Sequence, residues 1–200
     1  MPSMREWILP VVLAVGVVAG CTEAESGEAA PAPESSSADG STEDGAPKVE
    51  NPLDTSAYQQ DPCSSLSSAQ LQELALDQGK PSENDSAGPN CFWRNNEARS
   101  MASIAFVTAG NNGISDVYAN RENNAVFEEL PAIEGHPVVA YGSVKGEIER
   151  GYCTLAVGAT DELFLSISVR VSRANIGQDD PCESAQRVAE MMIETMRSGQ

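Results

Sequence analysis

The clearest pattern of apolar and polar positions lies at the C-terminal end of the chain. From Ala185 to Met196, apolar residues recur at i, i+3, i+4, i+7, i+8 and i+11. This spacing places them in one stripe along a helix, as is typical of a helix that covers a core. The residues before it favour a helix start, because Asp180 suits the N-cap, Pro181 the first position and Glu183 a capping box. The sequence therefore predicts a surface helix after Asp180, with Cys182 in its first turn.

A similar triplet, "DPC" at residues 61–63, begins a less regular helical region. Residues 61–66 are predicted to form a short helical turn. A helix is predicted from Ser68 to Leu76, with a capping box formed by Ser67 and Gln70. Gly79 and Pro81 are expected to end it.

Between these helical ends, the pattern changes to the alternation that is typical of β-strands. It is clearest in "LFLSISVRVS", where every second residue is apolar over ten positions. Five strands are predicted, at residues 91–95, 101–109, 137–142, 151–159 and 163–172. A weak helical signal covers Ser115 to Arg121. Because successive strands are joined by turns, we expect an α+β fold, an antiparallel sheet of about five strands covered by N- and C-terminal helices.

The first 20 residues have the features of a secretory signal peptide. One arginine precedes an apolar run from Trp7 to Ala19, which is too short to span a bilayer as a stable helix. The "VAGC" at its end resembles the lipobox of bacterial lipoproteins. This resemblance implies cleavage before Cys21 and attachment of a diacylglyceryl group to its thiol. Two acyl chains hold a soluble domain at a membrane, so we expect a lipid anchor at the extracytoplasmic face of the cell membrane. The alternative is a plain secreted protein.

Residues 21–60 differ sharply in composition from the C-terminal part of the chain. After Cys21 they are rich in Pro, Ser, Gly, Ala and acidic residues and show no apolar periodicity. Such a segment buries too little surface to offset the entropy of ordering it, so we expect a disordered tether with a reach of roughly 35 Å. The remaining chain, residues 61–200, is predicted to be a single globular domain.

The charge balance excludes some classes of partner. The chain has 30 acidic and 12 basic residues, and the predicted globular domain has 20 and 10. Nucleic acid and anionic lipid headgroups require a basic surface, so neither is an expected partner.

Four cysteines remain after Cys21, namely Cys63, Cys91, Cys153 and Cys182. An even number in an exported domain favours disulfides, with three possible connectivities. The separations of 28 and 29 positions favour pairing Cys63 with Cys91 and Cys153 with Cys182, while the crossed pairings remain open. Zinc sites need closely spaced cysteines, so we expect no metal.

The single histidine, His136, is a candidate general base, with Glu134 as the residue to orient it. It lies between a glycine and a proline in an expected turn entering a strand, and no nucleophile motif accompanies it. Three neighbouring carboxylate pairs do not have the spacing of a calcium loop, namely Glu128 with Glu129, Glu147 with Glu149, and Asp161 with Glu162. We therefore expect no catalytic residues and no cofactor.

Three aromatic residues are ambiguous between packing and binding. Trp93 follows Cys91 by two positions in a predicted strand, which favours core packing over stacking on a ligand. Tyr141 and Tyr152 have hydroxyls that either line a groove or reach water.

Several stretches together resemble a known family. They are "DPCSSLSSAQLQEL", "CFW", "IEGHPVVAY", "CTLAVGA" and "DPCESAQRVAEMMIETM". They are similar to the actinobacterial cell-envelope lipoproteins that share a domain of unknown function, DUF3558. The resemblance covers residues 61–197 and implies a location in the cell envelope and a fold, but it supplies no catalytic residues.

The leading hypothesis is a non-enzymatic envelope lipoprotein that binds an envelope ligand or a partner protein. It rests on the anchor, the tether and the lack of an assembled catalytic motif. The alternative is an envelope hydrolase that uses His136 with a carboxylate. A structural or sensory partner of a membrane protein is a third hypothesis.

Overall fold

A computed structural model of the chain describes residues 45–82 and 86–199. The predicted signal peptide, Cys21 and the tether as far as residue 44 lie outside these ranges. The described residues form one seven-stranded antiparallel sheet in the order β1-β2-β3-β7-β6-β5-β4, with helices packed against it. The predicted α+β class with an antiparallel sheet is therefore confirmed.

The strands are β1 Lys80–Pro81, β2 Asn90–Asn95, β3 Ser100–Val107, β4 Val126–Ile133, β5 His136–Gly142, β6 Tyr152–Gly158 and β7 Phe164–Arg170. The α-helices are α1 Ser56–Gln60, α2 Ser68–Glu73, α3 Ser115–Ala119 and α4 Pro181–Ser198. Short 3-10 turns lie at Pro62–Ser65, Arg121–Asn123, Ile148–Arg150 and Arg173–Asn175.

The sheet has two strands more than the five predicted, and both are at its edges. β1 has only two residues, one of them a proline, and β4 has the sequence "VFEELPAI". Pro131 and adjacent glutamates remove the alternation from β4, and its pairing with β5 shifts between Leu130 and Ile133. Proline and irregular pairing are tolerated at an edge strand, which is why the sequence pattern did not reveal it.

Helix α4 begins with Asp180 as its N-cap and Pro181 at its first position, as predicted. In the described part of the chain, the reciprocal bond from the Asp180 backbone to the Glu183 side chain, which a capping box requires, is not among its hydrogen bonds. The Asp180 carboxylate accepts hydrogen bonds from the backbone N–H groups of Cys182 at 2.6 Å and Glu183 at 3.3 Å. The predicted stripe is buried, and α4 packs against β6 and β7. Helix α2 has the predicted capping box between Ser67 and Gln70.

The main core lies between α4 and one face of the sheet. Ile104, Leu155 and Ile167 are cross-strand neighbours on β3, β6 and β7, and all three are buried. Met192 and Ile193 of α4 belong to the same buried cluster. Burial of such side chains contributes about 1.5–3 kcal/mol each relative to leaving them in water.

A smaller core lies on the opposite face, at one end of the sheet. The short helix α3 and the residue Ala46 cover Val139, Ala156 and Phe164 there. The weak helical signal at Ser115 to Arg121 thus corresponds to α3 and the start of the adjoining 3-10 turn.

The folded domain begins upstream of the predicted boundary at Asp61. Val49 and Leu53 are buried, and the Leu53 backbone N–H donates to the Ala159 carbonyl at 2.9 Å. Glu50 N–H donates to the Gly135 carbonyl at 3.1 Å. Residues 45–60 therefore belong to the domain, which corrects their assignment to the tether. Their few apolar residues form no periodic pattern, and their hydrogen-bond partners lie far along the chain.

Two disulfides link helical elements to strands. Cys63 pairs with Cys91 of β2, and Cys153 of β6 pairs with Cys182 of α4, with Cα–Cα distances of 5.1 and 5.0 Å. The sequential pairing is confirmed. Each bridge attaches one end of the helical layer to the sheet.

Candidate functional site

His136, the predicted candidate base, lies at the start of β5 and is fully buried. It comes directly after a tight turn in which Glu134 and Gly135 have φ angles of 51° and 84°. Its Nδ1–H donates to the Gly158 carbonyl at 2.7 Å, and its Nε2 accepts from the Arg197 guanidinium at 3.1 Å. Both ring nitrogens are therefore occupied, which leaves neither available to act as a general base in this conformation.

The arginine that contacts His136 is itself held by the turn. Arg197 Nη1 lies 2.7 Å from the Glu134 carboxylate, and its Nη2 donates to the Glu134 carbonyl at 3.0 Å. This group ties the end of α4 to the turn between β4 and β5. The sequence placed His136 in a turn, but the structure places it just after the turn, where it has a packing and hydrogen-bonding role.

The buried histidine makes stability depend on pH. Burial lowers the pKa of His136, and the positive charge on Arg197 acts in the same direction against the opposing effects of the Gly158 bond and Glu134. The unfolded chain therefore takes up a proton below about pH 6.5, where the folded chain does not. Relative to His136→Asn, the wild-type protein is expected to lose stability as the pH falls below that value, by at most about 1.4 kcal/mol per pH unit.

Urea unfolding of both proteins at a series of pH values measures this difference. Acidic residues titrate in both proteins, so the difference isolates the histidine. If the stability difference between the wild-type protein and His136→Asn stays constant between about pH 7.5 and pH 5.5, this would contradict a buried, neutral His136.

The predicted carboxylate pairs do not converge on a site. Glu128 and Glu129 are exposed on the edge strand β4. Asp161 instead accepts a hydrogen bond from the Val49 backbone at 3.1 Å. Among residues 45–82 and 86–199, no three His, Cys, Asp or Glu side chains lie together as metal ligands, and no helix is long and apolar enough to cross a membrane.

Trp93 is a core residue, as its position predicted. It is completely buried, and its indole N–H has no hydrogen-bond partner among the described residues. Gly79 lies so close that a Cβ there would fall 2.4 Å from the indole nitrogen and 2.6 Å from the Cys91 sulfur. The tryptophan therefore fills the space beside the first disulfide and is not accessible to a ligand.

The strands β2, β3, β7 and β6 have a second surface that points away from α4, which we call the open face. Its residues alternate along each strand with those of the main core. They are Phe92, Arg94, Met101, Ser103, Ala105, Ser166, Ser168, Arg170, Tyr152 and Thr154. Apart from Ser103, they are half-buried or exposed, and in the part of the chain that the structure describes, α3 covers only the neighbouring end of the sheet.

Hydroxyl groups occupy the centre of the open face. Thr154 and Ser168 are hydrogen-bonded at 2.8 Å across β6 and β7, and the Tyr141 hydroxyl lies 2.9 Å from Ser166. Burial raises the pKa of Tyr141, so its hydroxyl stays protonated at neutral pH. The surface thus offers both donors and acceptors without a net charge at its centre.

One cross-strand row of the open face is cationic and aromatic. Arg94, Met101, Arg170 and Tyr152 are register neighbours on β2, β3, β7 and β6. The Arg170 guanidinium lies 5.5 Å from the centre of the Tyr152 ring and donates to its hydroxyl at 2.9 Å. Arg94 lies in the same way 5.8 Å from the centre of the Phe92 ring. We call these four register neighbours the arginine row.

Two adjoining depressions flank the arginine row, with volumes of about 510 and 230 Å³. Arg94 and Asn96 contribute to both of them. Sequence reasoning singled out Tyr141 and Tyr152 but missed the arginines, because the overall charge is strongly negative. One sequence signal could have revealed this surface. In β7 the polar residues Ser166, Ser168 and Arg170 occupy every second position, which places them together on one face.

The chain matches one family model, described as "Protein of unknown function (DUF3558)", over residues 16–195. No curated protein and no solved structure matches the chain. The matched residues include the whole open face and both disulfides.

Proposed function

Since the chain belongs to the DUF3558 family of proteins of unknown function, we propose a function from its own residues: a non-enzymatic binding domain of the bacterial cell envelope. In this proposal a lipid on Cys21 holds the chain at the outer side of the cell membrane. The open face of the sheet binds an envelope ligand or a partner protein.

The observation that carries the proposal is the contrast between the two faces of the sheet. The face under α4 is a closed apolar core, whereas the open face presents hydroxyls, arginines and aromatic rings that are half-buried or exposed. Arginine and tyrosine are the residue types that dominate binding surfaces.

The environment of His136 favours binding over hydrolysis. A general base needs a ring nitrogen within hydrogen-bond reach of the substrate proton. His136 is fully buried, and Gly158 and Arg197 engage its two nitrogens. We therefore retain binding as the function and do not propose the hydrolase.

The two disulfides support an extracytoplasmic location. Disulfides persist in oxidising compartments and are rare where thiols are kept reduced. Together with the signal-like N-terminus, they support a domain that folds after export. In this proposal, the lipid on Cys21 keeps the exported domain at the membrane.

Photo-crosslinking in cells that express the chain tests the proposal. A photo-crosslinking amino acid in place of Thr154 is expected to give an adduct, identified by mass spectrometry, because Thr154 lies on the open face beside the arginine row. The matched control carries the same amino acid in place of Glu190, which is exposed on α4. Replacing Cys21 by Ala is expected to move the chain from the membrane fraction to the soluble fraction and to reduce the adduct.

Adducts formed only from position 190 would overturn the assignment of the open face. A Cys21→Ala variant that stays in the membrane fraction would overturn the lipid anchor.

A further inference from the structure

Resting on the proposed function, we propose that the arginine row of the open face binds an anionic oligosaccharide. The ligand carries acidic groups about 10 Å apart, one held at Arg94 and one at Arg170, which are separated by one intervening strand. Its sugar rings lie over the aromatic and hydroxyl surface between and beside them.

The first support is an excess of unpaired positive charge. Among the described residues, Lys80, Arg94, Arg99 and Arg170 line the two depressions, together with a single carboxylate, Asp77. Throughout the described ranges, no ion pair involves any of these four cations. This grouping gives a locally positive surface in a chain with 30 acidic residues and 12 basic ones, and the charge complementarity points to an anionic ligand.

Two other arginines of the same domain form ion pairs in the described ranges. Arg187 pairs with Glu73, and Arg197 pairs with Glu134. Arg121, Arg150 and Arg173 also form no ion pair in the described ranges, but they do not line the two depressions. The arginine row is thus distinguished by the grouping of several cations around one carboxylate.

The second support is the way Arg170 is held. Its Nε–H donates to the Arg99 carbonyl at 2.7 Å, its Nη2 donates to the same oxygen, and its Nη1 donates to the Tyr152 hydroxyl. A guanidinium has five N–H groups, so two of them have no partner among the described residues. A guanidinium that is fixed in place loses little entropy when it binds an anion.

The carbonyl that holds Arg170 belongs to a residue with an unusual backbone. Arg99 has a φ of 58°, in the left-handed region that non-glycine residues rarely adopt. The turn between β2 and β3 therefore directs this carbonyl toward the guanidinium. Residues kept in such conformations are concentrated at binding sites.

The surroundings of the two arginines select the class of anion. Each arginine is accompanied by an aromatic ring. The next row across the face contains Ser103, Ser168 and Thr154. Side-chain hydroxyls match a polyhydroxyl ligand, which exchanges hydrogen bonds with them in both directions.

The negative charge of the rest of the domain limits the charge density of the ligand. A strongly charged polyanion such as nucleic acid meets repulsion beyond the arginine row. A ligand with widely spaced acidic groups meets much less electrostatic repulsion from the rest of the domain. The two shallow, adjoining depressions also suit an extended chain better than a compact molecule.

Titration calorimetry of the full chain in non-ionic detergent tests the inference with a hyaluronan tetrasaccharide, which carries a carboxylate on alternate sugars. Chitotetraose is the neutral probe of the same length, and tetraglutamate is the acidic peptide probe. We expect the hyaluronan probe to bind most tightly. Arg94→Gln is expected to weaken its binding about 10-fold or more, because one charge-assisted contact is lost.

Arg121→Gln is the matched control, since it removes an exposed arginine beside α3 and changes the net charge equally. It is expected to change the affinity by less than about twofold, and Lys80→Gln serves as a second test variant at the edge of the larger depression. The Arg94 guanidinium forms no ion pair within the described ranges, so its replacement is not expected to disturb the fold. A circular dichroism melt of each variant checks this.

Equal binding of both oligosaccharides, with no effect of Arg94→Gln, would overturn the anionic ligand but leave the proposed binding function intact. Tighter binding of tetraglutamate would replace the saccharide by an acidic peptide. No binding of any probe at millimolar concentration would overturn the inference, while an adduct from position 154 in cells would still support the proposed function.

Discussion

A variant that begins at Asp61 is expected to be much less stable than a variant that begins at Gly45. Residues 45–60 bury Val49 and Leu53 and add backbone hydrogen bonds to the carbonyls of Gly135 and Ala159. Truncating a buried leucine to alanine alone costs about 2–5 kcal/mol. We therefore expect the shorter variant to lose at least this much free energy of unfolding, measured by urea denaturation.

The longer variant begins at Gly45, so the difference in unfolding free energy between the two variants reports only on residues 45–60. Leu53→Ala in the full chain should reproduce most of the loss, whereas Ser56→Ala, at an exposed position of α1, should reproduce little of it. Equal stability of the two shortened variants would show that the segment does not contribute to folding and would restore the boundary at residue 61.

Removal of the Cys153–Cys182 disulfide is the second change for which we expect a large effect. The bridge closes a loop with a sequence separation of 29 and ties the first turn of α4 to β6. In the chain-entropy model a loop of this length stabilises the fold by about 3–4 kcal/mol. The Cys153→Ala, Cys182→Ala double variant is therefore expected to lose this amount in urea unfolding under oxidising conditions.

The other disulfide provides a matched control. Its separation is 28, so loop entropy alone predicts nearly the same loss when Cys63 and Cys91 are replaced by alanine. A clearly larger loss of unfolding free energy on removal of the Cys63–Cys91 bridge would reveal the packing of Cys91 against Trp93 and Gly79. A loss below about 1 kcal/mol at both would contradict the entropic account.

Local sequence signals predicted the elements whose causes are local. Helix α4 has its N-cap, proline and apolar stripe within 17 positions from Asp180 to Met196, and β7 shows its alternation directly. The disulfide pairing followed from similar separations along the chain. In each case the residues that decide the structure are close in sequence or few in number.

The remaining features depend on contacts between distant parts of the chain. The environment of His136 involves Arg197, which is 61 positions away, and no local pattern announces that contact. The arginine row exists only because β2, β3, β7 and β6 pair in one particular register. The net charge of the chain concealed the arginine row, since a few arginines on one surface are outnumbered by acidic residues elsewhere.

The segment from Gly45 to Gln60 also determines how the domain responds to mechanical force. A pull on the chain from its N-terminal side reaches the hydrogen bonds of Glu50 and Leu53 before it reaches the first covalent bridge at Cys63. These 16 residues span about 55 Å when fully extended. The segment would therefore peel away first and lengthen under load, while the disulfide-linked sheet beyond it keeps its shape.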